Sequence, residues 1–244
     1  MAKKRLDDLL VERELSENKS KARALIMAGE IRVAGKPVSK PGTMVAEDSV
    51  IEVARKLPYV SRGGLKLAHA LDEFKLDVSG MVVIDAGAST GGFTDCLLQR
   101  GAARVYAIDV GHGQLDYRLQ TDARVAVLDK TNLHYPFELP EKADMATIDV
   151  SFISVTKVIP NLVENLKENG RILVLLKPQF EAERDEVGKG GIIKDPMVHA
   201  SVVGRFIRWA IVEQKFSLRG LTASPILGAE GNKEYLILLK TIIV

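Results

Sequence analysis

MVVIDAGASTGGFTDCLLQRG, residues 81–101, is the stretch on which the fold turns. An apolar run through Ile84 leads past Asp85 into a glycine-rich loop, and the loop opens on FTDCLLQRG, a helical pattern closed by Gly101. This reads as a strand, a loop and a helix. Gly87, Gly91 and Gly92 let the backbone approach a ligand, and the helix offers its unpaired N–H groups to it.

Downstream the pattern repeats. RVYAIDVG (104–111), ARVAVLD (123–129), MATIDV (145–150) and RILVLLK (171–177) read as strands, with helical patterns over 155–170 and 196–214. Such alternation predicts an α/β fold with a mostly parallel sheet covered on both faces. SLRGLTAS (217–224) and YLILLKTIIV (235–244) are separated by a loop with no helix, so they are predicted to pair antiparallel. Seven strands with a closing hairpin are the plan of a Rossmann-like methyltransferase sheet, and ligands of such sheets sit at the strands' carboxyl ends. Phe206 and Trp209 fall at apolar spacing on a helix and are assigned to the core.

The glycine loop admits three readings. A dinucleotide fingerprint, G-x-G-x-x-G, is broken at Ser89. Gly87-Ala88-Ser89-Thr90-Gly91 fits a hydrolase nucleophile elbow, and Asp149 and His199 follow it in the chain. That elbow normally follows a later, central strand, however. The third reading is S-adenosylmethionine binding: Gly87, Ser89, Gly91, Gly92 and Phe93 would form the cradle for the methionine part. Asp109, ending the second strand, would take the ribose hydroxyls, and Asp129, ending the third, the adenine edge. Asp85 would orient the loop or approach the cofactor's amino group, with Asn132 near the adenine. His112 and His134 receive no role.

RILVLLKPQF, residues 171–180, ends a buried strand on Lys177, a residue type rarely found inside unless paired. Lys66 lies near the start of a helix, Asp149 ends the strand MATIDV, and Glu234 begins the last, antiparallel strand. All four can therefore converge on one cleft. This Lys-Asp-Lys-Glu set resembles that of the FtsJ-like ribose 2′-O-methyltransferases over residues 60–244.

The first part of the chain, residues 1–56, differs in charge. Residues 1–62 carry 13 lysines and arginines against 9 acids, while the remainder carries 21 against 23. A basic module on a near-neutral one points to a polyanion. Leu6, Leu9, Leu10 and Leu15 form a helical stripe. A second helix starting near Asn18 or Ser20 buries Ala22, Leu25 and Ile26 and stops at Gly29, and strands follow in EIRVAGKPV and SVIEV. SKARALIMAGEIRVAGKPV resembles the S-four-type RNA-binding domain, which implies that Lys19, Lys21, Arg23, Arg32 and Lys36 face structured RNA. Residues 57–64 read as the remainder of a linker, and 65–244 as the methyltransferase domain.

Together with DAGASTGGFTD, TIDVSFIS, LLKPQFE and GKGGIIKDP, this two-part organisation is similar to the TlyA family, also known as haemolysins. The resemblance implies S-adenosylmethionine-dependent methylation of a cytidine ribose in ribosomal RNA, with Lys177 beside the 2′-hydroxyl as base or as charge stabiliser. Asp149 would steer it, and Lys66 and Glu234 would hold ribose and charge in place. The loop at 181–196 is expected to be a mobile flap, with Lys189 and Lys194 reaching phosphates. Two alternatives remain: an RNA-binding protein without catalysis, and a membrane-active protein. No run approaches the roughly 20 apolar residues of a spanning helix. One cysteine and four histidines offer neither a disulfide framework nor zinc-ligand spacing. The charged N-terminus lacks the apolar core of a secretory signal, so a cytoplasmic protein is expected.

Overall fold

The structure is a computed structural model that describes residues 2–27, 29–53, 57–228 and 231–241. The chain forms two compact units, Met1–Leu57 and Pro58–Val244.

In the first unit, β1 (Lys3–Arg5) runs into α1 (Leu6–Glu12), and α2 (Lys19–Met27) packs against α1. Asn18 starts α2: its side chain accepts a 2.9 Å hydrogen bond from the Lys21 N–H. Then come β2 (Ile31–Val33), β3 (Lys36–Pro37), β4 (Met44–Ala46) and β5 (Ile51–Val53). They form a three-stranded sheet, β3-β2-β5, and a separate β1-β4 ribbon that the sequence patterns did not disclose. Leu6, Leu9, Leu10, Ala22, Ile26, Ile31 and Val45 make the core. Leu15, expected in the α1 stripe, lies past the helix end and is exposed.

Buried within this unit, Asp7 receives Arg5 at 2.9 and 2.8 Å and Arg23 at 3.0 Å. The Arg5 guanidinium foremost holds its carboxyl far below the usual carboxylate range. What closes Asp7 off from water is its own pair of half-exposed arginines rather than a deep apolar layer.

The second unit opens with α3 (Gly63–Glu73), β6 (Val82–Ala86), α4 (Gly92–Gln99), β7 (Arg104–Ile108), α5 (Tyr117–Gln120), β8 (Val125–Leu128) and β9 (Ala143–Ile148). It continues through α6 (Ile159–Val163), β10 (Leu166–Leu176), α7 (Pro178–Glu181), α8 (Pro196–Arg208), β11 (Ser217–Ala223) and β12 (Tyr235–Lys240). The sheet order is β11-β12-β10-β9-β6-β7-β8. The five strands from β10 to β8 are parallel, and β12 is antiparallel to both its neighbours.

The segment 155–170, expected as one helix, is instead a 3₁₀ turn (Val155–Lys157), the short α6, and the bulged entry to β10. The Asn165 side chain ends α6: it donates to the carbonyls of Phe137 and Asn161 and accepts from the Leu139 N–H. Residues 58–64 pack on α4. The Val60 N–H donates to Asp95 at 2.8 Å, and Gln99 donates to the Pro58 carbonyl at 2.9 Å.

Side chains alternate across the sheet with a period of two. Ile172, Val174 and Leu176 pack in one apolar layer with residues of α6 and α8; Leu173 and Leu175 pack in the other, with residues of α3 and α4. Continuing that phase past the strand ends places Lys177 beyond Leu173 and Leu175, and Asp149 beyond Met145 and Thr147. It places Glu234 before Leu236 and Leu238. All three fall on the face covered by α3, the helix that carries Lys66.

Candidate active site

Lys66 Nζ lies 2.5 Å from Glu234 Oε2, and both residues are buried. Lys177 Nζ lies 2.7 Å from Asp149 Oδ1. That second contact is an ion pair without hydrogen-bond alignment, since Asp149 Oδ1 is buried and has no hydrogen-bond partner. The hydrogen bond that Lys177 makes is to Ser151 Oγ, at 2.8 Å.

A cavity of about 290 Å³ is lined by Lys66, Asp149, Ser151 and Lys177 together with Arg62, the glycine loop and Phe93. Glu234 does not line it; its part is to pair with Lys66. A second cavity, of about 530 Å³, is lined by Asp109, Val110, Asn132, Leu133 and Phe152 among others. The two share Gly87, Ser89, Asp149 and Ser151 as a common wall.

The glycine loop owes its shape to close packing. At Gly87, φ is +86° and a Cβ would stand 2.7 Å from the Asp149 carbonyl oxygen, so only glycine lets β6 pass β9 there. At Gly92 a Cβ would stand 2.9 Å from the Gly64 N and would strike the Ser61 side chain, so its absence lets α4 start against α3. Asp109 fixes the loop from the other side: it accepts from the Ser89 N–H at 2.8 Å and the Gly111 N–H at 2.7 Å. A carboxylate has about four acceptor positions, so Asp109 retains capacity for two hydroxyls.

Other expected site residues fall elsewhere. Asp85 is fully buried and lines neither cavity. It accepts from Thr94 Oγ1 at 2.6 Å and Thr147 Oγ1 at 3.3 Å, and so braces the start of α4 from below. Burial pushes its carboxyl up to about 7, with a smaller upward contribution from Asp149. Asp129, expected at the adenine, also lines neither cavity. It accepts from the Gly113 N–H and pairs with His112 Nδ1, contacts that close the loop after β7 and hold its carboxyl below the ordinary range. Gly91 lines neither cavity, while Gly92 and Phe93 line only the smaller. His199 is buried on α8 with its Nε2 against the Ile193 carbonyl, so the residues named for a hydrolase triad do not assemble.

The segment 181–196 is tied at several points: Glu186 pairs with Arg205, and the Ile193 N–H donates to Asn232 Oδ1 at 3.0 Å. Lys194 is exposed, and the Lys189 side chain lies outside the described residues. In the first unit Lys21, Arg32 and Lys36 are exposed, with Lys21 against Glu17; Lys19 pairs with Asp8 and Arg23 with Asp7.

Two residues escaped the sequence reading. Ser151 lies two past Asp149, in phase with it, and that spacing was the available signal. Phe152 is 88% exposed with φ +64°, a conformation rare for a bulky residue, and rests on Phe180 at 5.0 Å. Lys177 Nζ lies 6.0 Å over the Phe180 ring.

Among the described residues no helix is long and apolar enough to cross a membrane, and no group of three or more His, Cys, Asp or Glu could hold a metal.

Comparison with known proteins gives a consistent picture. A family model described as FtsJ-like methyltransferase matches residues 59–241, and one described as S4 domain matches residues 4–51. The chain is 47% identical to "Putative rRNA methyltransferase YqxC" of Bacillus subtilis, over 96% of this chain and 85% of that protein. It is 42% identical to the 16S/23S rRNA (cytidine-2′-O)-methyltransferase TlyA of Mycobacterium tuberculosis, over 97% and 90%. A solved structure titled "Putative hemolysin from Streptococcus thermophilus" matches with a TM-score of 0.76 at 40% identity, covering 99% of this chain and 90% of that one.

Proposed function

The chain belongs to the TlyA family of FtsJ-like methyltransferases carrying an S4 domain, and from that premise we propose that it methylates the ribose 2′-hydroxyl of a cytidine in ribosomal RNA. The observation that carries the reading is the common wall. A cavity holding two lysines and a carboxylate abuts one holding Asp109, through Asp149, Ser151 and the glycine loop.

The larger cavity fits S-adenosylmethionine by its lining: the spare acceptors of Asp109, the close backbone approach at Gly87, and apolar Val110 and Leu133 beside Asn132 for a purine. Gly87, Ser89, Asp109 and Asn132 are assigned to hold it. When bound, the cofactor supplies an electrophilic methyl group on a sulfonium.

The protein's own work is to orient and stabilise. A ribose hydroxyl is a poor nucleophile and a weak acid, so it gains from a positive charge beside its oxygen as the proton leaves. Lys177 is assigned to supply that charge, and the Asp149 carboxylate at 2.7 Å supports the assignment. Lys66, held by Glu234, also lines the smaller cavity and is read as positioning the ribose. Phe152, which lines the larger cavity, offers an exposed ring suited to stacking on an unpaired base. The first unit is assigned to RNA capture through Lys21, Arg32 and Lys36, with Lys194 reaching phosphate from the second.

Transfer of a labelled methyl group to purified ribosomal subunits tests the reading. Wild type is expected to label rRNA on cytidine ribose and Lys177→Ala to label none. Equal labelling by both removes the catalytic assignment, and absence of labelling by wild type removes the enzyme.

A further inference from the structure

We propose that Ser151 is a positioning residue of the methyl transfer: its hydroxyl, and not the Asp149 carboxylate, fixes the direction in which Lys177 presents its ammonium group. The inference rests on the methyl-transfer reading above and adds to it a residue outside the Lys-Asp-Lys-Glu set.

Lys177 has two oxygen neighbours of different kinds. Asp149 Oδ1, at 2.7 Å, supplies charge attraction but no hydrogen bond. Ser151 Oγ, at 2.8 Å, supplies a hydrogen bond with good geometry. Coulomb attraction varies only with distance, so it holds the ammonium near without aiming it. A hydrogen bond weakens steeply off its axis, and using one N–H on Ser151 fixes the cone in which the other two point. Lysine needs such a guide more than arginine does, because it is a point charge on a flexible four-carbon stem.

The position of Ser151 suits that role. It borders both cavities, so an ammonium directed by it stands in the smaller one beside a residue of their common wall. Its place is set by the turn after β9, where the next residue, Phe152, adopts φ +64°. A bulky residue in that region is strained and persists only where the surroundings enforce it. The turn directs the Phe152 ring outward and leaves Ser151 toward Lys177. Among the described residues the Ser151 hydroxyl is recorded only as acceptor from Lys177, so its own hydrogen is available to a guest in either cavity.

Steady-state transfer to ribosomal subunits, with cofactor affinity measured separately by calorimetry, tests the proposal. Misplacing a reacting group by about 1 Å costs on the order of 100-fold, so Ser151→Ala is expected to lower kcat about 10- to 100-fold. KM for the subunits and Kd for S-adenosylmethionine should stay within about twofold, and Ser151→Thr, which keeps the acceptor, should recover most of the rate. Ser151→Cys keeps the shape with a weak acceptor and should behave as Ser151→Ala, which guards against a folding defect in one variant. Wild-type kcat in the alanine and cysteine variants overturns the proposal. So does a loss carried equally by Kd or KM, or a threonine variant as slow as alanine. No transfer by wild type sinks the methyl-transfer reading and this inference together; transfer by wild type with an undiminished Ser151→Ala sinks this inference alone.

Discussion

Lys66 on α3 and Glu234 before β12 meet at 2.5 Å across 168 residues of chain, with side-chain exposures of 11% and 3%. Removing one member of a buried ion pair leaves the other charged and uncompensated, at roughly 3–5 kcal/mol, whereas replacing both by apolar groups is often neutral. Lys66→Met and Glu234→Leu are therefore each expected to destabilise the second unit, and the double variant to regain most of that loss. Methyl transfer should stay absent in all three. Denaturant midpoints beside transfer assays check this, and a double variant no more stable than the singles contradicts it.

Asp109 ties the Ser89 and Gly111 amides while keeping acceptor capacity for a ligand. Asp109→Ala is expected to weaken S-adenosylmethionine at least about 10-fold, about 1.4 kcal/mol, with little change in RNA affinity. Asp109→Asn should fall between, since one oxygen remains. Calorimetric titration with cofactor and filter binding with RNA separate the two effects.

Burial raises the Asp85 carboxyl to about 7, against about 3.9 in an unfolded chain. Between those values the folded state holds the proton and the unfolded state does not. The contribution of Asp85 is thus fully present below about pH 4 and is lost as pH rises through about 7. Asp85→Asn should remove that decline, so the stability difference between variant and wild type shifts in the variant's favour from pH 5 to pH 8. Unfolding of both proteins at the two pH values measures it, and an unchanged difference refutes the assignment.

In the first unit, Arg32 and Lys36 are exposed while Arg23 covers the buried Asp7. Arg32→Ala and Lys36→Ala should each reduce the slope of log affinity against log salt by about 0.7–0.9 per lost phosphate contact, without lowering the unfolding temperature. Arg23→Ala should lower the unfolding temperature instead and leave the slope nearly unchanged, because its partner is the buried Asp7 carboxylate. Salt titrations paired with thermal unfolding distinguish the three.

The sheet was legible because its signals are local and periodic. Apolar runs ending in Asp109, Asp149 and Lys177 mark strand ends, and the period-two phase of β9, β10 and β12 carries Asp149, Lys177 and Glu234 to one face. The helix expected over 155–170 gives way after α6, where the Asn165 side chain takes backbone groups from Phe137 and Leu139, contacts no local pattern encodes. Asp85 and Asp129 stand at strand ends as a ligand-binding acid would, yet one turns inward to Thr94 and Thr147 and the other toward His112 and Gly113. Strand position gave their place in the chain but not the direction of their carboxyl groups. Ser151 and Phe152 were hidden for another reason: the only local signal is the two-residue spacing of Ser151 from Asp149, and nothing in the sequence shows the positive φ at Phe152 that turns its ring outward.

The strand order has a consequence for biosynthesis. β12 is the last of the seven to leave the ribosome, yet it lies between β10 and β11. Until it arrives, Ile172–Leu176, apolar throughout and later fully enclosed, borders an open slot with unpaired amides and carbonyls, a template for joining another molecule. A chain interrupted before Tyr235 would carry that sticky edge, so synthesis of β12 doubles as this unit's safeguard against aggregation.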